Sequence, residues 1–223
     1  MMKTATQLYY WPGMRTHFEN IINNCEECQS SRPTQARPKI THSPPSHAQL
    51  PMNELGSDIY DALGKSWLVL ADRYSGYVWN ACIKDKCTET VVQQLRAWFI
   101  EFGWPNSLRT DGGPAYRNEF TRFCTANGIK HELSSPYNPE SNGLAEAAVK
   151  NMKALVERCY ARKENLEEAV AAWRNMARAD GTSPAELFYG RRQRQKLPML
   201  PITEKSNQDV SACLLYTSPS PRD

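Results

Sequence analysis

Gly56-Ser57-Asp58-Ile59-Tyr60-Asp61 reads as a β-strand with an aspartate in its middle, and the architecture of the chain follows from it. Beyond it, Trp67-Leu68-Val69-Leu70-Ala71 reads as a buried strand and Tyr77–Ile83 as a third with alternating side chains. The Ser75-Gly76 turn makes the last two a hairpin. Thr88–Gly103 carries Val91, Val92, Leu95, Trp98, Phe99 and Phe102 on one side, the pattern of an amphipathic helix, with Thr88 as the expected cap and Gly103 as the stop. Ser107–Thr110 is a short strand that delivers Asp111 into a Gly-Gly turn. Asn118–Asn127 reads as a helix closed by Gly128, Lys130–Ser134 as a further strand, and a Pro136/Pro139 loop leads into a long helix from about Asn142 to Tyr160. Five strands with intervening helices imply an α/β fold with a mixed sheet.

A chain of 223 residues holds one full domain and a small appendage. With 40% hydrophobic and 23% charged residues it has the composition of a soluble globular protein. No apolar run approaches the roughly 18 residues that span a bilayer, and the start lacks the layout of a signal peptide, so neither membrane insertion nor secretion is expected. The net charge of +3 is too small to announce a nucleic-acid partner by itself. Its distribution says more: Arg158, Arg162, Lys163, Arg174, Arg178 and the Arg191–Lys196 stretch load the C-terminal third with cations, as a phosphate-contacting surface needs and as a solvated helix face with a basic tail would also show. The seven cysteines read as reduced thiols. Cys82, Cys87, Cys124 and Cys159 are expected in the core, and only Cys25 and Cys28 have metal-ligand spacing.

Three carboxylates stand out because each falls on a different element: Asp58 in a strand, Asp111 at a strand end, and Glu146 on a helix, spaced 53 and 35 residues apart. Acidic groups that converge repel, and a divalent cation is the usual remedy. Two such cations can hold the attacking and departing oxygens of an in-line phosphoryl transfer. The residues alone therefore suggest a metal-dependent enzyme that cuts or joins nucleic acid. Asp61 and Asp72 are excluded: pleat alternation sends Asp61 to the face opposite Asp58, and Asp72 falls where an aspartate serves a turn.

The spacing and its flanking words resemble the D,D-35-E integrases of retroviruses and gypsy-type long-terminal-repeat retrotransposons. The words are Tyr10-Trp11-Pro12-Gly13-Met14, Cys25-Glu26-Glu27-Cys28-Gln29, Asp72-Arg73-Tyr74-Ser75-Gly76, Arg109-Thr110-Asp111-Gly112-Gly113, Ser135-Pro136-Tyr137-Asn138-Pro139, Asn142-Gly143-Leu144-Ala145-Glu146 and Thr182-Ser183-Pro184-Ala185-Glu186-Leu187-Phe188-Tyr189-Gly190-Arg191. The resemblance implies a ribonuclease-H-like five-stranded core flanked by helices, preceded by a truncated zinc-binding module. It also implies Asp58, Asp111 and Glu146 as catalytic residues holding Mg2+ or Mn2+, Lys150 and Lys153 gripping phosphates, and Tyr137, Asn138 and Asn142 facing DNA. Glu146, Lys150 and Lys153 stand at i, i+4 and i+7 on one helix face; a Glu-to-Lys helix pair is the plainer account of the same spacing. The implied reaction is trimming of element cDNA ends followed by their transfer into target DNA, by a homo-oligomer acting in the nucleus.

The zinc module departs from the family pattern. Cys25 and Cys28 supply half a tetrahedral site, but the two histidines the family places before the Tyr-Trp-Pro-Gly word are absent, so Zn2+ is expected only if its missing ligands come from elsewhere. His17 reads as a helix-surface residue, and His42 and His47 as linker histidines. The expected organisation is a partial zinc module over 1–30, a Pro-rich linker over 31–52, the catalytic core over 53–165, a helical extension over 166–197, and a tail over 198–223. From Cys213 the tail looks like a translated cloning or adapter segment, to be set aside in reasoning about the fold. A catalytically idle or host-adopted DNA-binding relic is the alternative function, motivated by the incomplete zinc module.

Overall fold

The computed structural model describes residues 5–6, 9–26, 29, 50–134, 143–178, 181–191, 193 and 194. Within them lie five strands: β1 (Glu54–Ala62), β2 (Lys65–Asp72), β3 (Val78–Ile83), β4 (Ser107–Thr110) and β5 (Lys130–Leu133). They form one sheet in the order β3-β2-β1-β4-β5. β1, β2 and β3 pair antiparallel through short turns, while β4 and β5 join parallel after helical crossovers. The helices are α1 (Met14–Asn23), α2 (Thr88–Phe102), α3 (Glu119–Ala126), α4 (Gly143–Arg162), α5 (Leu166–Arg174) and α6 (Pro184–Tyr189), with a 3-10 turn at Pro114–Tyr116. This is the mixed five-stranded sheet flanked by helices that the sequence leads one to expect. The β1–β2 turn places both Leu63 (φ 53°) and Gly64 (φ 70°) in the left-handed region, the backbone of a tight hairpin.

Pleat alternation gives the sheet two unlike faces. One carries Leu55, Leu68, Leu70, Trp79 and Leu108 against Leu95 and Phe99 of α2 and Phe120 of α3. The other carries Tyr60, Ala62, Val69, Ala71 and Val78 against Ala148, Met152, Leu155, Val156 and Cys159 of α4. Leu68, Val69 and Leu70 are wholly buried because β2 is covered on both sides, each side chain contributing about 1.5–3 kcal/mol by its removal from water. Ala145 and Ala148 of α4 are buried and small, so this helix lies close over β1.

α5 and α6 complete the β3 edge. The Phe188 ring stacks on Tyr77 at 4.6 Å and meets Trp79 edge-on at 5.3 Å, while the Arg174 guanidinium lies 4.5 Å over Tyr77 and donates to the Val78 carbonyl. Gly76, at φ 66°, has Arg178 over it so closely that a Cβ would meet the guanidinium at 1.8 Å. The Ser-Gly and Thr-Ser-Pro words therefore act together as the closure of this edge.

Some expectations need correction. Thr88 is the first helical residue of α2, and the cap position falls on Cys87, whose side chain makes no capping bond. Cys124 and Cys159 are buried as expected, but Cys82 and Cys87 are exposed, because one lies on the edge strand β3 and the other in the turn after it. In α1 only Met14 is buried and Ile21 is 65% exposed, so its apolar stripe lacks a packed partner surface among the described residues. No helix of the described residues is long and apolar enough to cross a membrane.

Candidate active site

β1 is the middle strand, and Asp58 sits at its centre opposite Val69 of β2. Because Tyr60 and Ala62 share its side of the pleat, Asp58 faces α4. The parallel ladder between β1 and β4 pairs Glu54, Leu55 and Gly56 with Ser107, Leu108 and Arg109. Continued by two residues, the same register sets Asp58 beside Asp111, so the spacing between the two aspartates is the offset of two neighbouring strands. Asp111 stands one residue past β4 and is exposed. Its Oδ1 accepts the Gly113 N–H at 3.1 Å.

Glu146 lies in the first turn of α4, on the helix that covers the Asp58 face, and its side chain is exposed. The charges of all three acids are felt at one place. Burial pushes the Asp58 carboxyl up to about 6; the Ile59 N–H bond, at 2.7 Å, opposes this, and the negative charges of Asp111 and Glu146 reinforce it. The carboxylates are nonetheless splayed: among the described residues no three His, Cys, Asp or Glu side chains come close enough to hold one ion. Asp58 and Asp111 each accept a nearby backbone N–H instead, from Ile59 and Gly113. The donor set, three carboxylates of which one is half-buried, raised by that burial and raised further by the charges of the other two, is what a hard divalent cation would relieve.

The two excluded aspartates have other partners. Asp72 is fully buried at the end of β2 and accepts bonds from the Met52 N–H, the Ser75 N–H and the Ser75 hydroxyl, fixing the turn into β3. Burial raises its carboxyl above the usual range while those bonds pull it back. Asp61 points to the face opposite Asp58, where it pairs with Lys86 at 2.6 Å and accepts from Ser66; the Lys86 bond holds its carboxyl below the usual range.

Lys150 and Lys153 are exposed on α4, and Lys153 is near enough to add to the field at Asp61. Cys25 accepts a bond from Arg162 at the end of α4, and His17 accepts the Trp11 indole N–H at 3.0 Å, which occupies its Nδ1 on the helix surface. Cys28, Tyr137, Asn138, Asn142, His42 and His47 lie outside the described residues.

Sequence reasoning missed the polar groups beneath the aspartates. Ser57, fully buried, meets the Tyr116 hydroxyl at 3.0 Å, and Thr110, also fully buried, meets His131 Nε2 at 2.9 Å. His131 is held by Thr121 on its other nitrogen, and burial lowers its pKa, which favours the neutral ring. Ser57 and Thr110 each adjoin an aspartate in the chain, and Tyr116 lies in the turn that follows one. That adjacency is the signal that could have found them. Beside Asp111 opens a cavity of about 220 Å3, walled by Ile59, Lys86, Pro114 and Tyr116 among others.

Comparison with known proteins agrees with this fold. The family description "Integrase core domain" matches residues 57–139, and "Integrase zinc binding domain" matches residues 1–34. The chain is 26% identical over 205 residues to the Pol polyprotein of caprine arthritis encephalitis virus, covering 89% of this chain and 18% of that one. It thus spans less than a fifth of the length of the curated relatives it matches first. Among solved structures it is similar to a chain of the simian T-cell lymphotropic virus intasome in complex with PP2A regulatory subunit B56 gamma, with TM-score 0.57 and 25% identity over 86% of this chain and 70% of that one. The catalytic core domain of BIV integrase has the same fold, with TM-score 0.53 and 21% identity over 62% of this chain and 95% of that one. With the zinc-module match ahead of the core match, and Asp58 and Asp111 both inside the latter, the chain carries an integrase core domain behind an integrase zinc-binding domain.

Proposed function

We propose that this chain performs the phosphoryl-transfer chemistry of DNA integration: cleavage near the 3′ ends of an element's cDNA, then attack of each new 3′-hydroxyl on a phosphodiester of target DNA. The observation that carries the reading is the half-buried Asp58 on the central strand, whose carboxyl is pushed up by burial to about 6, with the charges of Asp111 and Glu146 adding to the rise. Asp58, Asp111 and Glu146 would hold Mg2+ or Mn2+. When bound, a pair of such cations activates the attacking oxygen and stabilises the departing one.

The chain's own residues divide the work. Asp58, on the central strand, is the rigid mount, and Asp111 meets it from the neighbouring strand end. Glu146, exposed at the start of α4, supplies the adjustable third carboxylate. Lys150 and Lys153, four and seven residues on, present cations to phosphates that approach along the same helix. Tyr137, Asn138 and Asn142, in the segment that leads into α4, are assigned to DNA by their family words. The partners are thus element and target DNA and further copies of the chain, and the site of action is the nucleus. Zn2+ belongs to Cys25 and Cys28 only if two further ligands are supplied.

The test is a strand-transfer assay on the purified chain with oligonucleotide ends, in Mg2+ or Mn2+, against Asp111→Asn. Joined products that vanish in the variant support the reading. DNA binding without metal-dependent cleavage or joining would favour the idle, DNA-binding relic.

A further inference from the structure

The backbone ladder between β1 and β4 ends at the Gly56–Arg109 pair, two residues short of the aspartates. Ladder hydrogen bonds between these strands therefore stop before the level at which Asp58 and Asp111 must be held apart by a fixed distance. A different cross-link stands there. Ser57 donates its hydroxyl to the Val69 carbonyl at 3.1 Å and so leaves its oxygen free to accept the Tyr116 hydroxyl at 3.0 Å. Both residues are buried, Ser57 at 0% exposure and Tyr116 at 1%. The Tyr116 ring is further fixed edge-on against Phe120 at 5.0 Å.

From Tyr116 the constraint runs back to the second aspartate. The Tyr116 N–H donates to the Gly113 carbonyl at 3.1 Å, and the Gly113 N–H donates to Asp111 Oδ1 at 3.1 Å. Gly113 has no side chain to crowd that carboxylate, from whose Oδ1 a Cβ would stand only 3.0 Å. A continuous path thus leads from the Asp111 carboxylate through Gly113, Tyr116 and Ser57 to the backbone of Asp58, with its far end anchored on β2.

We infer that Ser57 and Tyr116 are positioning residues, a buried hydroxyl pair that sets the separation of Asp58 and Asp111 for paired divalent cations. The inference rests on the proposed assignment of those aspartates as metal ligands. Burial raises the Tyr116 phenol well above its ordinary range, the Ser57 bond opposes this, and the Asp58 and Asp111 charges add to it, so the hydroxyl stays protonated beside both acids. Both are buried, so each acts through the aspartate next to it in the chain or the turn.

The experiment measures Mn2+ affinity of the full chain by calorimetry or paramagnetic resonance, and thermal unfolding in chelator. The variants are Tyr116→Phe, Ser57→Ala, the double variant and Asp111→Asn. Each single hydroxyl variant is expected to bind Mn2+ about 10- to 100-fold more weakly, the range for groups that orient metal ligands. The double variant leaves neither hydroxyl of the pair stranded, so its metal-free melting temperature should return towards wild type. Its Mn2+ affinity should stay as low as in the single variants. Affinity that is unchanged in Tyr116→Phe, or that recovers with stability in the double variant, would overturn the positioning role alone. A wild-type chain that binds no Mn2+, or binds it as well after Asp111→Asn, would overturn the metal-ligand assignment and the positioning role with it.

Discussion

The two faces of the sheet differ in what holds them. Towards α2, α3 and α6 the packing is made by large rings, with Trp79, Phe99, Phe102, Phe120 and Phe188 gathered in one cluster. Towards α4 it is made by aliphatic side chains, Met152, Leu155 and Val156, with the small Ala145, Ala148 and Cys159, and Asp58 stands among Tyr60, Ala62 and Val69. The aromatic side supplies most of the cohesion, because a buried ring removes more apolar surface from water than a methyl does. The small-residue side brings a helix close enough for Glu146 to act on Asp58. Cohesion and chemistry thus lie on opposite faces of one sheet, with the Ser57–Tyr116 hydroxyl pair on the aromatic side.

The greatest change is expected on the chemical side. Asp111→Asn should reduce metal-dependent strand transfer by more than about 100-fold, beyond what loss of a supporting group costs, while circular dichroism stays unchanged. If activity survives, the carboxylates are not the centre of the reaction. On the aromatic side, Phe188→Ala should destabilise the fold by about 2–3 kcal/mol, below the range for a fully buried ring because Phe188 is only partly buried. Denaturant unfolding reads this directly, and a loss under about 0.5 kcal/mol would mean that α6 does not close the β3 edge.

The next effect ties the faces together through pH. Below pH 3.8 the Asp58 carboxyl is protonated both folded and unfolded, so it contributes nothing. Between 3.8 and about 6 the unfolded chain loses its proton first, so metal-free stability falls as pH rises and levels off above. Allowing for the solvent exposure of the site, the loss is on the order of 1–2 kcal/mol. Asp58→Asn should remove that slope and raise the melting temperature of the metal-free protein at pH 7. A melting temperature that drops instead would show that Asp58 stabilises the fold.

A slighter effect belongs to the cations of α4. Replacing Lys150 and Lys153 with Glu should weaken DNA binding at every sequence and lower the slope of affinity against salt by up to about two, close to one for each phosphate no longer neutralised. An unchanged slope would reduce both residues to surface charges.

The strands were legible because alternation and buried runs are local. Leu68, Val69 and Leu70 announce burial wherever they sit, and the structure extends the predicted Gly56–Asp61 strand to Glu54–Ala62. The carboxylates are singled out by the words around them, and Asp61 fell on the opposite face because alternation is also local. Ser57 and Tyr116 could each be suspected from the aspartate nearby, but their meeting was not legible. A serine in a strand and a tyrosine after a glycine turn, 59 residues apart, carry no local sign of meeting. Of the four cysteines expected in the core, Cys82 and Cys87 depart for a related reason: Cys82 lies on an edge strand, and its burial depends on what covers that edge, which no pattern within the strand records.

The claim on which the rest depends is that Asp58, Asp111 and Glu146 close around divalent cations. Anomalous diffraction from crystals grown with Mn2+ measures it. The account predicts a peak between Asp58 and Asp111, with carboxylate oxygens at about 2.0–2.6 Å and Glu146 turned inward to share the site once the charge is neutralised. Manganese bound instead at Asp61 or Asp72, or no ordered ion near Asp58 at saturating concentration, would contradict it.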